Sequence, residues 1–232
     1  MQRSNTTRTS SDTGIAATQT PTATHTQTPT PTNTPVNTAT ATQTPTPTNT
    51  PIAGSVLDNF NRPGPALGSN WAGSGPTIVG NQLVGGSNAS IFWQQTFGTD
   101  QWASIKIVQL NGCNGMGLLL KASGNTQASG LVYVGYNRCG SPKISIYGYN
   151  PGWNGYAPFG GGNVTYAPGD VLRARVQANG LVSVYYNGTL VASATMSPNN
   201  AGFNTGRSGQ IGLTTSSSSV ILDDFDGGTF VP

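Results

Sequence analysis

The chain has 232 residues, 7% charged and 35% hydrophobic, with 32 Gly, 16 Pro and a formal net charge of +3. Ten Lys and Arg scattered without a basic run make no electrostatic footprint for nucleic acid, and no apolar stretch reaches the roughly 18–20 residues that span a bilayer. All seven acidic residues are Asp and the one histidine, His25, lies in a Thr/Pro tract. A folded part therefore lacks both glutamate and imidazole, which excludes a Ser/His/Asp or Cys/His nucleophilic apparatus.

Residues 1–54 and 55–232 read as two different materials. From Thr18 to Thr50 every even-numbered residue is Thr except Val36, and the decapeptide Thr26–Pro35 recurs unchanged at Thr42–Pro51. The alternation would fit a strand, but recurring Pro removes ladder donors and bars a sheet interior. The expectation for 1–54 is a disordered, extended linker or stalk, either O-glycosylated or unmodified. Residues 1–17 contain no apolar h-region. Export would therefore depend on an upstream start or another route.

From Ser55 onward short β-type runs are broken by Gly, Asn, Ser and Pro. The expected strands begin with Ser55–Phe60, Thr77–Val84, Ser90–Phe97 and Trp102–Leu110. Met116–Ala122, Leu131–Tyr136, Lys143–Tyr149 and Val171–Ala178 continue the series. Leu181–Tyr186, Leu190–Met196, Gln210–Thr215 and Val220–Phe225 complete it. Ala103, Ile105 and Ile107 alternate with Trp102, Ser104 and Lys106, a period of two that marks half-buried strands. Leu172, Ala174 and Val176 alternate likewise with Arg173, Arg175 and Gln177. On this pattern Trp102 is an exposed candidate, one of Phe92 and Trp93 faces inward, Trp71 is core, and Arg173, Arg175 and Tyr185 form a solvated outer face. Gly80-Asn81, Asn179-Gly180 and Asn187-Gly188 are hairpin signals. The echo between Val56-Leu57-Asp58-Asn59-Phe60 and Ile221-Leu222-Asp223-Asp224-Phe225 predicts that the two ends of the domain lie side by side.

The opening LDNFNRPGPALGSNW, the hairpin LVSVYYNGTLVASATM and the ending GQIGLTTSSSSVILDDFDGG resemble a concanavalin A-like or laminin-G-like domain over about residues 55–230. That resemblance implies an all-β, two-sheet antiparallel jelly-roll sandwich. It also implies a function among lectins, carbohydrate-binding modules, adhesion domains, glycoside hydrolases and lyases, and fold alone does not choose among them. Glycosidases of this family carry paired glutamates, which this chain lacks. Ordinary glycoside hydrolysis needs two carboxylates about 5–9 Å apart. The one acidic cluster, Asp223, Asp224 and Asp226, lies on the closing strand, with Asp224 and Asp226 expected on one face.

Residues 147–166 (YGYNPGWNGYAPFGGGNVTY) are better stocked for binding. With Ile144 and Ile146 facing the core, Tyr147 and Tyr149 face out, and the segment adds Trp153, Asn154 and Tyr156, with Tyr133 and Arg138 close by. Sugars present apolar C–H faces and rings of hydroxyls, so flat aromatic rings beside amide and guanidinium donors suit them. The rival reading is a loop that packs its own aromatics over a sandwich edge.

Counting the strands as a meander puts the turns of Cys113 and Cys139 at one end of the sheet and the aromatic loop at the other. A disulfide fits that placement, and two free thiols are the alternative. Calcium, the usual cofactor implied by the resemblance, would find Asp58 and Asp223 as hard oxygen donors. The expectation is an extracellular or cell-surface, non-catalytic module that binds a polysaccharide or glycan. A structural or adhesive protein that binds a surface protein or itself is the second reading, and a polysaccharide-active enzyme the third.

Overall fold

A computed structural model of the chain describes residues 56–141, 143–151, 155–196 and 206–232. The Thr/Pro-rich segment lies outside the described residues, as do Trp153 and Asn154. The strands in chain order open with β1 (Trp71–Gly73), β2 (Thr77–Val79), β3 (Gln82–Val84), β4 (Ala89–Trp93) and β5 (Gln101–Leu110). β6 (Gly115–Ala122), a 3-10 turn at Gln127–Ser129, β7 (Leu131–Asn137), β8 (Ile144–Tyr149) and β9 (Tyr156–Gly162) follow. β10 (Asp170–Val176), β11 (Leu181–Tyr186), β12 (Thr189–Thr195), β13 (Gln210–Thr215) and β14 (Val220–Thr229) close the domain.

These strands form two seven-stranded sheets, ordered β1-β4-β13-β6-β7-β8-β9 and β12-β11-β10-β5-β14-β3-β2, with every pairing antiparallel. The fold is the concanavalin A-like jelly-roll sandwich. Period-two alternation builds its core: Ala103, Ile105 and Ile107 from one sheet and Val132, Val134, Ile144 and Ile146 from the other are fully buried between the layers. The hairpin signals hold. Gly80 and Asn81 between β2 and β3, and Asn187 and Gly188 between β11 and β12, all have positive φ, the type I′ geometry that matches strand twist.

Several placements differ from the sequence reading. Residues 56–60 form no strand; Asp58 and Phe225 meet in a single antiparallel bridge. The ends do lie side by side there, but Phe60 turns the chain away with φ 53. Phe92 and Trp93 are both buried. Trp93 enters the inter-sheet core, while Phe92 joins Leu119, Ala122 and Leu131 in a second cluster on the outer face of its sheet. Trp102 is buried too, because the Arg173 guanidinium lies 4.7 Å from its ring centroid and Gly228 stands opposite it on β14. Arg175 lies over both Tyr185 and Phe230, so this outer face is half-buried rather than solvated.

β9 also lies where a loop was expected. Pro158 is tolerated because β9 is the edge strand of its sheet. Gly162 lets it close against β12 of the other sheet, since a Cβ there would stand 2.3 Å from the Val191 carbonyl oxygen.

Cys113 and Cys139 form a disulfide with Cα atoms 5.0 Å apart, joining the β5–β6 turn to the β7–β8 turn. The bridge spans 26 residues, so its reduction is expected to lower the free energy of unfolding by about 3.5 kcal/mol in the loop-entropy account. Urea unfolding with and without dithiothreitol measures this, and an unchanged midpoint would contradict it.

Candidate functional site

The period of two on β7 and β8 turns Tyr133, Tyr147 and Tyr149 away from the core, onto the outer face of the sheet. The register sets Tyr133 opposite Tyr147 and Tyr149 opposite Tyr156. Four rings on three neighbouring strands thus share one patch. Tyr133 and Tyr147 lie nearly parallel, 5.8 Å between centroids and 16° between planes. Tyr156 is 5.4 Å from Tyr133, 5.9 Å from Tyr147 and 5.3 Å from Tyr149.

Tyr133 does not stand up from the sheet. An added Cβ on Gly117 would fall 2.0 Å from its Cε2, and one on Gly135 would fall 2.6 Å from its Cζ. The ring therefore lies down over this glycine pair, which faces across β6 and β7. On the same face, Phe92, Leu119, Ala122 and Leu131 pack against Tyr133 and Tyr149. This second cluster braces the platform from its side.

Gln127 supplies the polar rim. Its Nε2 donates to Ser90 Oγ at 2.6 Å, and its Oε1 accepts from the Tyr156 hydroxyl. No motif or periodicity marks Gln127, which reaches the patch from the 3-10 turn between β6 and β7. Burial pushes the Tyr133 phenol up to about 12, with the Tyr147 phenol adding to it. Burial also pushes Tyr156 up to about 12, with Tyr133 and Tyr149 adding to it. Both remain neutral hydroxyls near pH 7; the Tyr156 O–H is already donated to Gln127, which leaves its oxygen to accept from a sugar.

Two depressions flank Tyr133. One, of about 240 Å³, runs toward Asn88 and Ser216 and includes Gln127 and Thr214. The other, of about 510 Å³, runs along β8 past Tyr147 and Ser145 to Lys143. Tyr133, Tyr136 and Asn137 line both.

Of the residues singled out from sequence, Tyr133, Tyr147, Tyr149 and Tyr156 come together. Trp153 and Asn154 lie outside the described residues. Arg138 is placed elsewhere: it sits in the β7–β8 turn, where Nη1 donates to the Leu110 carbonyl at 2.7 Å and the guanidinium lies 5.8 Å from the Tyr166 ring.

The acidic residues occupy other places. Asp58 is buried and accepts Arg62 at 2.6 and 2.9 Å, Trp71 Nε1 at 2.7 Å and the Phe60 N–H at 2.8 Å. Asp223 lies 3.8 Å and Asp224 3.1 Å from Lys106 Nζ. A bulge between Asp223 and Asp226 brings Asp223 and Asp224 to one lysine, instead of setting Asp224 and Asp226 on one face as expected. The carboxylate of Asp58 is thus already engaged by donors, whereas Lys106 stands 3.8 Å from Asp223 and hydrogen-bonds Asp224. Among the described residues no three His, Cys, Asp or Glu side chains gather.

The described sandwich has the concanavalin A-like jelly-roll fold, and the solved structures it resembles in fold include a galectin-like domain, carbohydrate recognition domains, a carbohydrate-binding module and a glucanase. A galectin-like protein of unknown function from Bacillus subtilis is similar at TM-score 0.55 and 12% identity, covering 69% of this chain and 89% of that one. The carbohydrate-binding module CBM66 from Bacillus subtilis is similar at TM-score 0.53 and 14% identity, covering 69% and 96%. A beta-1,3-glucanase from Mycobacterium marinum is similar at TM-score 0.51 and 13% identity, covering 75% and 99%. No family model matches the chain, and no curated protein matches it. At these identities the likeness establishes the fold. Among the described residues no helix is long and apolar enough to cross a membrane.

Proposed function

We propose that the domain is an exported, non-catalytic carbohydrate-binding module that holds a glycan against the tyrosine face of β7, β8 and β9. The observation that carries this is the Tyr133 ring laid flat on Gly117 and Gly135 with Tyr147 nearly parallel beside it. Such a platform matches the apolar face of a pyranose, and the hydroxyl and amide rim of Tyr156, Gln127 and Asn137 matches its hydroxyls. Similarity to a carbohydrate-binding module and to a carbohydrate recognition domain supports the same direction.

Binding rather than hydrolysis is favoured by where the carboxylates are. Neither depression is lined by an acidic residue. The close pair Asp223 and Asp224 is held by Lys106 on the opposite sheet. The disulfide supports an oxidising compartment, and the Thr/Pro tract would serve as a spacer that adds reach and avidity.

Affinity electrophoresis in gels cast with a polysaccharide panel tests the reading. Wild type is expected to be retarded by at least one polymer. Tyr147→Ala is expected to lose most of that retardation, about tenfold in affinity, while keeping the wild-type unfolding midpoint. Migration of wild type unaffected by every polymer, or retention undiminished in Tyr147→Ala, would refute it.

A further inference from the structure

Every charge in the binding face has one sign. Lys143 is the one charged residue lining either depression among the described residues. It immediately precedes β8, and the alternation that turns Tyr147 and Ser145 outward continues to Lys143; all three line the larger depression. The position is fixed on both sides: the Lys143 carbonyl accepts the Asn137 N–H at 2.8 Å, and its own N–H donates to Asn163 Oδ1 at 3.1 Å. The Cys113–Cys139 bridge anchors the turn that delivers it. Among the described residues no carboxylate lies within ion-pair distance of its ammonium. Lys106 and Arg62, by contrast, are each taken by aspartates.

We propose that the groove selects an anionic glycan, and that Lys143 is the specificity-determining residue that receives its carboxylate or sulfate. This rests on the carbohydrate-binding reading of the tyrosine face and adds the chemical class of the ligand. The spacing sets where the charge falls. Lys143 is four residues from Tyr147, about 13 Å along a strand, and its extended side chain covers part of that distance. The anionic group therefore belongs to a sugar unit next to the one stacked on the tyrosines, not to the stacked unit itself. A neutral polymer would gain the platform alone. An anionic one would add a charge-assisted hydrogen bond in a groove lined by no opposing carboxylate. A uronate and a sulfate ester offer that same chemistry.

The full chain should be titrated calorimetrically with polygalacturonate and alginate (carboxylate), carrageenan (sulfate), and laminarin and xylan (neutral), at low and high salt. The expected result is a preference for at least one anionic polymer of about tenfold over the neutral ones, declining with salt. Lys143→Gln should erase the preference and its salt dependence. Lys143→Arg should retain most of the preference, because the charge is kept. The arm that responds identifies carboxylate or sulfate as the source. Equal affinity for neutral and anionic polymers, or an anionic preference untouched by Lys143→Gln, would overturn the assignment of Lys143 while Tyr147→Ala still loses binding. Loss of nothing in Tyr147→Ala would remove the tyrosine-face reading, and this inference with it.

Discussion

Replacing Gly117 by alanine is expected to weaken glycan retention sharply without unfolding the domain. One methyl group is added, yet its carbon would fall 2.0 Å from Tyr133 Cε2 and 2.9 Å from Cδ2. Gly117 is a paired residue in the interior of its sheet, held by Thr214 on β13 and Gly135 on β7. The backbone has little freedom to yield there, so the ring moves. Displaced from the glycine pair, Tyr133 can no longer lie parallel to Tyr147, and the flat surface is lost. The expected loss is tenfold or more in affinity, about 1.4 kcal/mol, with a change of only a few degrees in the thermal midpoint. A double variant, Gly117→Ala with Tyr133→Ala, should bind no more weakly than Tyr133→Ala alone, since both changes act through one ring. Full binding by Gly117→Ala would show that the flat ring is not what the ligand meets.

The second large effect is on stability. Asp58→Ala is expected to destabilise the domain by about 3–5 kcal/mol, since it strands a part-buried guanidinium contact, an indole N–H and a backbone N–H at once. A value toward the lower end is expected because the Arg62 side chain keeps 34% of its surface in water. The aspartate ties the start of the described domain to the aromatic cluster of Phe60, Trp71, Trp93 and Phe225. Its pH dependence has a defined sign. Burial raises the carboxyl pKa, but the hydrogen bonds from Arg62, Trp71 and Phe60 outweigh burial and hold it below the ordinary 3.8. The group therefore contributes stability above about pH 4 that is lost as pH falls through the lowered folded value. Denaturant unfolding at pH 7 and pH 3 should show wild type losing part of this contribution and Asp58→Asn losing less between the two. Equal pH sensitivity in wild type and Asp58→Asn would contradict the assignment.

What was legible in the sequence followed from alternation, and what was not came from residues that break it. Ile144 and Ile146 identify the inner face of β8, which settles the direction of Tyr147 and Tyr149 before any coordinates. The same parity brings the two cysteine turns to one end. β9 was hidden because Pro158 and three consecutive glycines erase the usual strand signal, so Tyr156 reads as a loop residue although its strand pairing delivers it to the site. Trp102 and Phe92 were misplaced or left undecided for another reason. Parity gives the side of a sheet but not what covers that side, and here Arg173 and a second apolar cluster do the covering. Bulges are equally invisible: the slip in β14 reassigns Asp223 and Asp224 to Lys106. The platform itself depends on Gly117 and Gly135 standing opposite each other on neighbouring strands, a juxtaposition that register alone creates.

The measurement that tests the central claim most directly is a two-dimensional nitrogen-15 NMR titration of the full chain with the polysaccharide that retards it most. Amides of Gly117, Gly135, Tyr147 and Tyr156 are predicted to shift in a saturable way, while β10 and β11 on the opposite sheet stay still and the polymer keeps its length. Shifts gathered around Arg173, Arg175 and Tyr185 instead, or progressive shortening of the polymer in the tube, would contradict the account.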